Sequence, residues 1–175
     1  VTKLHDAFTT AVTEFMDVME QYYPGPYIAL VEEEAKELVE AWTALTQSRT
    51  TWIPISLMAN VIKELTDFHY VLFGLMVRQD RAVAEGGLPV SADALLKVAG
   101  ITAALEPILD IINVMVPEAQ QIEALKEVQR SNMSKLGLDG RPVFNDAGKI
   151  VKGINYSPAD LTDLARRVIN SHGEM

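Results

Sequence analysis

Apolar residues recur at three- and four-residue spacing along most of this chain, the period of a helix with one buried face. From Thr2 to Tyr22 the stripe is Leu4, Phe8, Val12, Phe15 and Met19, and Tyr23-Pro24-Gly25-Pro26 ends it. A second helix is predicted from Ile28 to Gln47 on Leu30, Val31, Leu38, Val39, Trp42 and Leu45. A third runs from Pro54, favoured at a first helical position, to Arg81, with Met58, Val61, Ile62, Leu65, Phe68, Leu72, Leu75 and Met76 inward. Ser91 caps a fourth helix carrying Leu95, Leu96, Val98 and Ile101, which Pro107 is expected to kink or restart. Pro117 opens a fifth, with Ile122, Leu125, Val128 and Met133, ending by Gly137.

The pattern changes between Leu138 and Tyr156. Pro142-Val143-Phe144 and Lys149-Ile150-Val151 are short β-like runs around Asn145-Asp146-Ala147-Gly148, which predicts a small hairpin. Ser157-Pro158-Ala159-Asp160 has the form of a capped helix start, and a last helix follows to Ser171. The expected fold is all-α: a helical bundle with a small β-hairpin arm near the C-terminus. A length of 175 residues fits one domain spanning 1–175.

Composition narrows the chemistry. The absence of cysteine removes disulfides, thiolate metal sites and cysteine nucleophiles. A net charge of −9 weighs against nucleic acid and anionic membranes as partners. No run of about 20 apolar residues suggests a membrane span, and the first residues do not read as a secretory signal. Together these favour a cytoplasmic protein.

The acids are concentrated. Glu32-Glu33-Glu34-Ala35-Lys36-Glu37-Leu38-Val39-Glu40 puts Glu33 and Glu37 one helical turn apart, with Glu34 beside Glu37. Glu64 and Asp67 lie three apart on the next helix, among Leu65, Phe68 and Leu72. A glutamate run alone is common on a solvated face. Two such groups on adjacent helices joined by a short turn can meet across one interface. Inward carboxylates need partners, and a divalent cation is the natural one. All-oxygen ligation points to Mg²⁺, with Mn²⁺ as the alternative. A di-iron bundle would need Glu-x-x-His pairs, which are absent.

Charge is also partitioned along the chain. From Glu14 to Glu40 there are eight acids and one base; from Lys126 to Lys152 there are six bases and three acids. An acidic cradle facing a basic arm suits a metal-bound polyphosphate.

Glu33-Glu34-x-x-Glu37 followed by Glu64-x-x-Asp67 resembles the EExxE and ExxD signature of the MazG-like all-α NTP pyrophosphohydrolases. The 27 positions from Glu37 to Glu64 are similar to the usual gap of that superfamily. Its relatives include the dimeric dUTPases and phosphoribosyl-ATP pyrophosphohydrolase. Arg130-Ser131-Asn132-Met133-Ser134-Lys135, Asp139-Gly140-Arg141-Pro142, Gly148-Lys149-Ile150-Val151-Lys152-Gly153 and Tyr156-Ser157-Pro158 also resemble MazG-like members. The connection of about 50 residues before the Asn132 helix departs from compact members.

The resemblance implies hydrolysis of a nucleoside triphosphate to the monophosphate and pyrophosphate. Glu33, Glu34, Glu37, Glu64 and Asp67 would hold the metal, with Glu34 as general base. Asn132 and Lys135 would contact sugar and phosphate, joined by Arg130, Lys149, Lys152 and Tyr156. dUTP is the expected substrate, with broader action on noncanonical nucleotides close behind. The alternatives are phosphoribosyl-ATP pyrophosphohydrolase or a noncatalytic helical nucleotide-binding module. The resemblance also implies a homodimer or a dimer of dimers. Trp42 and Trp52 read as packing residues, with base stacking by Phe8, Phe15 or Trp52 as the lesser alternative.

Overall fold

A computed structural model describes residues 2–19, 27–145 and 150–173. Six helices follow one another: α1 (Lys3–Met19), α2 (Tyr27–Thr46), α3 (Ile55–Ala84), α4 (Ala92–Met115), α5 (Glu118–Met133) and α6 (Thr162–Gly173). The Tyr23-Pro24-Gly25-Pro26 terminator lies outside the described residues.

The longest helix, α3, is the axis of the bundle. It packs against α1, α2, α5 and α6, while α4 rests on α2. Its inward stripe buries Met58, Val61, Ile62, Leu65 and Phe68 at helical spacing. Phe8, Val12 and Met16 of α1, Val31 and Leu38 of α2, Val128 of α5 and Leu164 and Val168 of α6 complete the core. Each large side chain fully withdrawn from water contributes about 1.5–3 kcal/mol. The α1 stripe turns slightly from its expected face: Met16 is buried and Phe15 only partly, which leaves Phe15 beside the site described below.

Prolines and caps set several boundaries. Pro54 precedes α3 as its N-cap, one residue earlier than expected. Ser91 caps α4, its hydroxyl oxygen accepting a 3.3 Å bond from the Ala94 amide. Pro107 lies inside α4 without dividing it, at an exposed position, so the expected restart does not occur. Helix α4 buries Val98, Leu105 and Ile112, one residue per seven.

The expected β-hairpin is not formed as strands. Among the described residues it reduces to one antiparallel bridge, Phe144 to Ile150, plus a 2.9 Å bond from the Val151 amide to the Val143 carbonyl. Pro142 has no amide to extend the ladder, and Val143 and Phe144 remain exposed, so no buried face supports a sheet. The turn residues 146–149 lie outside the description.

The predicted helix start at Ser157 is also displaced. The Ser157 amide donates to Ser134 Oγ (2.9 Å), the Pro158 carbonyl accepts from Arg130 (2.9 Å), and the Asp160 amide donates to Glu127 (2.9 Å). Helix α6 therefore begins at Thr162, whose amide is capped by Asp160 Oδ1 at 3.0 Å.

Candidate active site

Helix phase decides which acids of α2 face inward. Glu34 lies three residues after buried Val31 and four before buried Leu38, on the edge of the apolar stripe. Glu37 adjoins it. Glu33 and Glu40 fall on the opposite side and are exposed; Glu40 pairs with Lys36 at 3.5 Å. Glu32 is drawn to Lys97 of α4 at 2.7 Å. The inward acids of α2 are thus Glu34 and Glu37.

Helix α3 supplies the other half. Glu64 is 6% exposed, next to the Leu65 and Phe68 stripe. One carboxylate oxygen from each of Glu34, Glu37 and Glu64 can be chosen so that all lie within 4.8 Å of one another. Asp67 is one turn along α3 and lines a cavity together with Glu34 and Glu37. Lys63 joins the two α3 acids: its Nζ donates to Glu64 Oε1 and Oε2 at 3.0 and 3.1 Å and to Asp67 Oδ2 at 2.7 Å.

The electrostatics follow from this crowding. Burial pushes the Glu34 carboxyl up to about 8, and Asp67 and Glu37 add to the rise against the opposing effect of Lys63. Glu64 is also raised by burial, partly offset by Lys63. Burial works against the charge of Lys63, but Asp67 and Glu64 outweigh it and hold the ammonium above its ordinary value.

Buried Glu34 Oε2 has no hydrogen-bond partner among the described residues. A carboxylate oxygen without a donor, inside a triad of hard oxygen ligands, fits a divalent cation of the Mg²⁺ or Mn²⁺ class. Glu34, Glu37 and Glu64 would hold it, with Asp67 at the margin.

The opposite wall comes from α5 and the arm. A cavity of about 490 Å³ has Glu34, Glu37 and Asp67 on one side and Asn132, Lys135, Lys152 and Tyr156 on the other. Lys135 Nζ donates to Asn132 Oδ1 at 2.7 Å, so the expected pair on one helical face does meet. Burial lowers the Lys135 value, opposed by Asp67. Lys152 Nζ lies 4.7 Å from the centroid of the Tyr156 ring, within cation–π range.

Not every expected residue joins them. Lys149 lies outside the described residues. Arg130 is not on the cavity wall: it forms a two-pronged ion pair with Glu127 (2.8 and 2.8 Å) and bonds the Pro158 carbonyl, fastening the arm instead. Phe8 is buried in the core and Trp52 is 73% exposed over a separate hollow beside Arg166, so neither can stack a base here. Phe15 does line the cavity, edge-on to Tyr70 at 5.6 Å.

Sequence reading missed Tyr70, Ser131 and Gly153. Tyr70 follows Asp67 by three residues and lines the cavity; its hydroxyl donates to Gln129 Oε1 at 2.6 Å, and Gln129 Nε2 donates to Glu14 at 3.1 Å. Position three after Asp67 was the available signal. Gly153 passes so close to the end of α5 that a Cβ would lie 2.8 Å from the Leu136 carbonyl oxygen and 3.1 Å from that of Lys135. Nothing local in the sequence announces that approach.

Residues 1–81 match the family model described as phosphoribosyl-ATP pyrophosphohydrolase. That family is part of the MazG-like all-α NTP pyrophosphohydrolase superfamily, which the chain resembles over these residues. The matched span covers α1, α2 and most of α3, and so includes every acid of the cluster. It stops before α4, α5 and the arm. No curated protein and no solved structure matches the chain. No described helix is long and apolar enough to cross a membrane.

Proposed function

We propose that the chain is a divalent-metal-dependent pyrophosphohydrolase that cleaves a phosphoanhydride of a nucleoside triphosphate or a triphosphate-bearing nucleotide. The observation that carries this reading is one cavity with Glu34, Glu37 and Asp67 on one wall, Glu64 within 4.8 Å of the first two, and Asn132, Lys135 and Lys152 on the other wall. Its overall products are a nucleoside monophosphate and pyrophosphate, with one water consumed.

When bound, the divalent ion neutralises phosphate oxygens and makes water easier to deprotonate. Glu34 takes the proton from the attacking water. Glu34 Oε2, buried without a hydrogen-bond donor among the described residues, is open to receive that proton. Glu37 and Glu64 would hold the cation beside it. Lys135 and Lys152 meet phosphate oxygens by charge-assisted bonds, and Asn132 holds Lys135 in place and offers its amide to the sugar. Tyr156 backs Lys152.

The family match favours phosphoribosyl-ATP as substrate over the dUTP expected from the sequence, for which it offers no support. A panel decides: phosphoribosyl-ATP, dUTP, dTTP, dCTP, dATP, dGTP and UTP, each with Mg²⁺ or Mn²⁺, read by pyrophosphate release. Turnover of phosphoribosyl-ATP alone supports the first assignment, and turnover of dUTP alone restores the second. Hydrolysis of none would sink the enzymatic reading in favour of a nucleotide-binding module.

A homodimer belongs to the same proposal. Leu96, Ile111 and Val114 of α4 are 71%, 50% and 75% exposed, an apolar face that a second copy would cover. Sedimentation showing only a 19.3 kDa species would exclude it.

A further inference from the structure

The four inward carboxylates are not equivalent. Glu64 directs both oxygens at Lys63 Nζ, and Asp67 adds the shortest of the three contacts. These are charge-assisted lengths. They are also sheltered: the Glu64 and Asp67 side chains are 8% and 19% exposed. Lys63 and Asp67 are one turn apart on α3, so the ammonium is tethered over these acids by its own helix. On the α2 side, Glu34 Oε2 is buried without a donor among the described residues. One half of the cluster therefore carries its own cation, and the other half is open to one from solution.

We infer that Lys63 fills one of two cation positions offered by Glu34, Glu37, Glu64 and Asp67, and so fixes the stoichiometry at one divalent ion per chain. This inference rests on the reading of the cluster as a metal site. Glu64 is the shared member: both its oxygens meet Lys63, and one of them lies within 4.8 Å of oxygens of Glu34 and Glu37. Charge counting agrees. Four ionised carboxylates are offset to a net of −1 by one divalent ion and Lys63, whereas a second divalent ion beside Lys63 would leave the cluster positive. With a neutral side chain at position 63, two divalent ions balance the four acids. Lys63 is thus a positioning residue, holding Glu64 and Asp67 in place without taking part in the chemistry.

The test is Mn²⁺ binding to the full chain without nucleotide, counted by loss of the free Mn²⁺ paramagnetic resonance signal. The wild type should bind one ion per chain and Lys63→Arg one. Lys63→Met should bind two. If Lys63→Met loses its helical circular dichroism, Lys63→Gln decides, since it retains hydrogen bonding without charge. Two ions in the wild type, or one in the folded neutral variant, would overturn the role of Lys63 and leave the metal site itself standing. No ion bound by the wild type would overturn the metal reading as well.

Discussion

The two walls of the cavity are built in different ways. The acid wall belongs to α2 and α3, two regular helices whose buried stripes fix the direction of each side chain. Moving an acid there means turning a helix against its core. The basic wall belongs to the end of α5 and an irregular arm, fastened by individual bonds: Ser134 to Ser157, Arg130 to Pro158, Glu127 to Asp160. Those contacts are exposed, where each contributes little alone. The contrast implies a division of labour. The helical wall holds the charges that must stay close despite repulsion, and the arm supplies positive groups on a less rigid mount.

Substitutions can separate the two walls. The largest effect is expected on the acid wall. Glu34→Gln should lower the turnover number by about 10²–10⁴-fold, the usual contribution of a general base, while leaving the fold intact in circular dichroism. A loss of less than threefold would remove Glu34 from the chemistry.

On the arm, Gly153→Ala forces a Cβ into two backbone carbonyls that cannot rotate away. It should cost about 1–3 kcal/mol of stability, as overpacking does. The Michaelis constant should rise with it, as the arm leaves the cavity. Denaturant unfolding and steady-state kinetics measure both. Lys152→Met should raise the Michaelis constant about tenfold and change turnover less, the cost of one charge-assisted phosphate contact. Glu127→Gln loosens Arg130 and the Asp160 amide together, and at an exposed site its effect should be only about threefold on the same constant. A turnover loss from Glu127→Gln as large as that from Glu34→Gln would erase the distinction between the walls.

A separate effect, on stability and not on catalysis, is a pH dependence of the metal-free chain. Burial holds the Glu34 carboxyl of the folded chain near 8, above its ordinary value of 4.5. The folded state therefore holds an extra proton between these values. That stabilisation is complete below about pH 4.5 and is lost as pH rises through 8. Buried His69, lowered to about 4, acts in the opposite direction, losing stability as pH falls from 6.5 towards 4. Between pH 6.5 and 8 Glu34 acts alone of the two. Thermal midpoints of the metal-free wild type should fall across that window, and Glu34→Gln should flatten the fall.

The same contrast explains what was legible in the sequence. Helix positions, the α2 and α3 acids and the Asn132–Lys135 pair all follow from three- and four-residue spacing. Phase carried more information than the motif did: Glu33 lies opposite Val31 and Leu38, and its exposure was readable from that stripe. Lys63 is next to Glu64 in sequence, but its grip on both α3 acids depends on side-chain burial. The arm was less legible. Its β-like residues were read as paired strands, yet without a buried face they make one bridge. The role of Arg130 was taken from the resemblance of its segment, and its partner Glu127, one turn earlier, takes it away from the cavity. Gly153 is set by contact with the Lys135 and Leu136 carbonyls just past α5, which no local pattern encodes.

The central claim is that both walls hold a nucleotide together through a divalent ion. Calorimetric titration with the non-hydrolysable α,β-imido analogue of the nucleotide selected by the panel tests it directly, with and without Mg²⁺. The account predicts binding that weakens by about 100-fold or more without Mg²⁺, because the bare carboxylates then repel the phosphates. Equal affinity in both conditions would contradict it, and would mean that the arm holds the nucleotide without the acid wall.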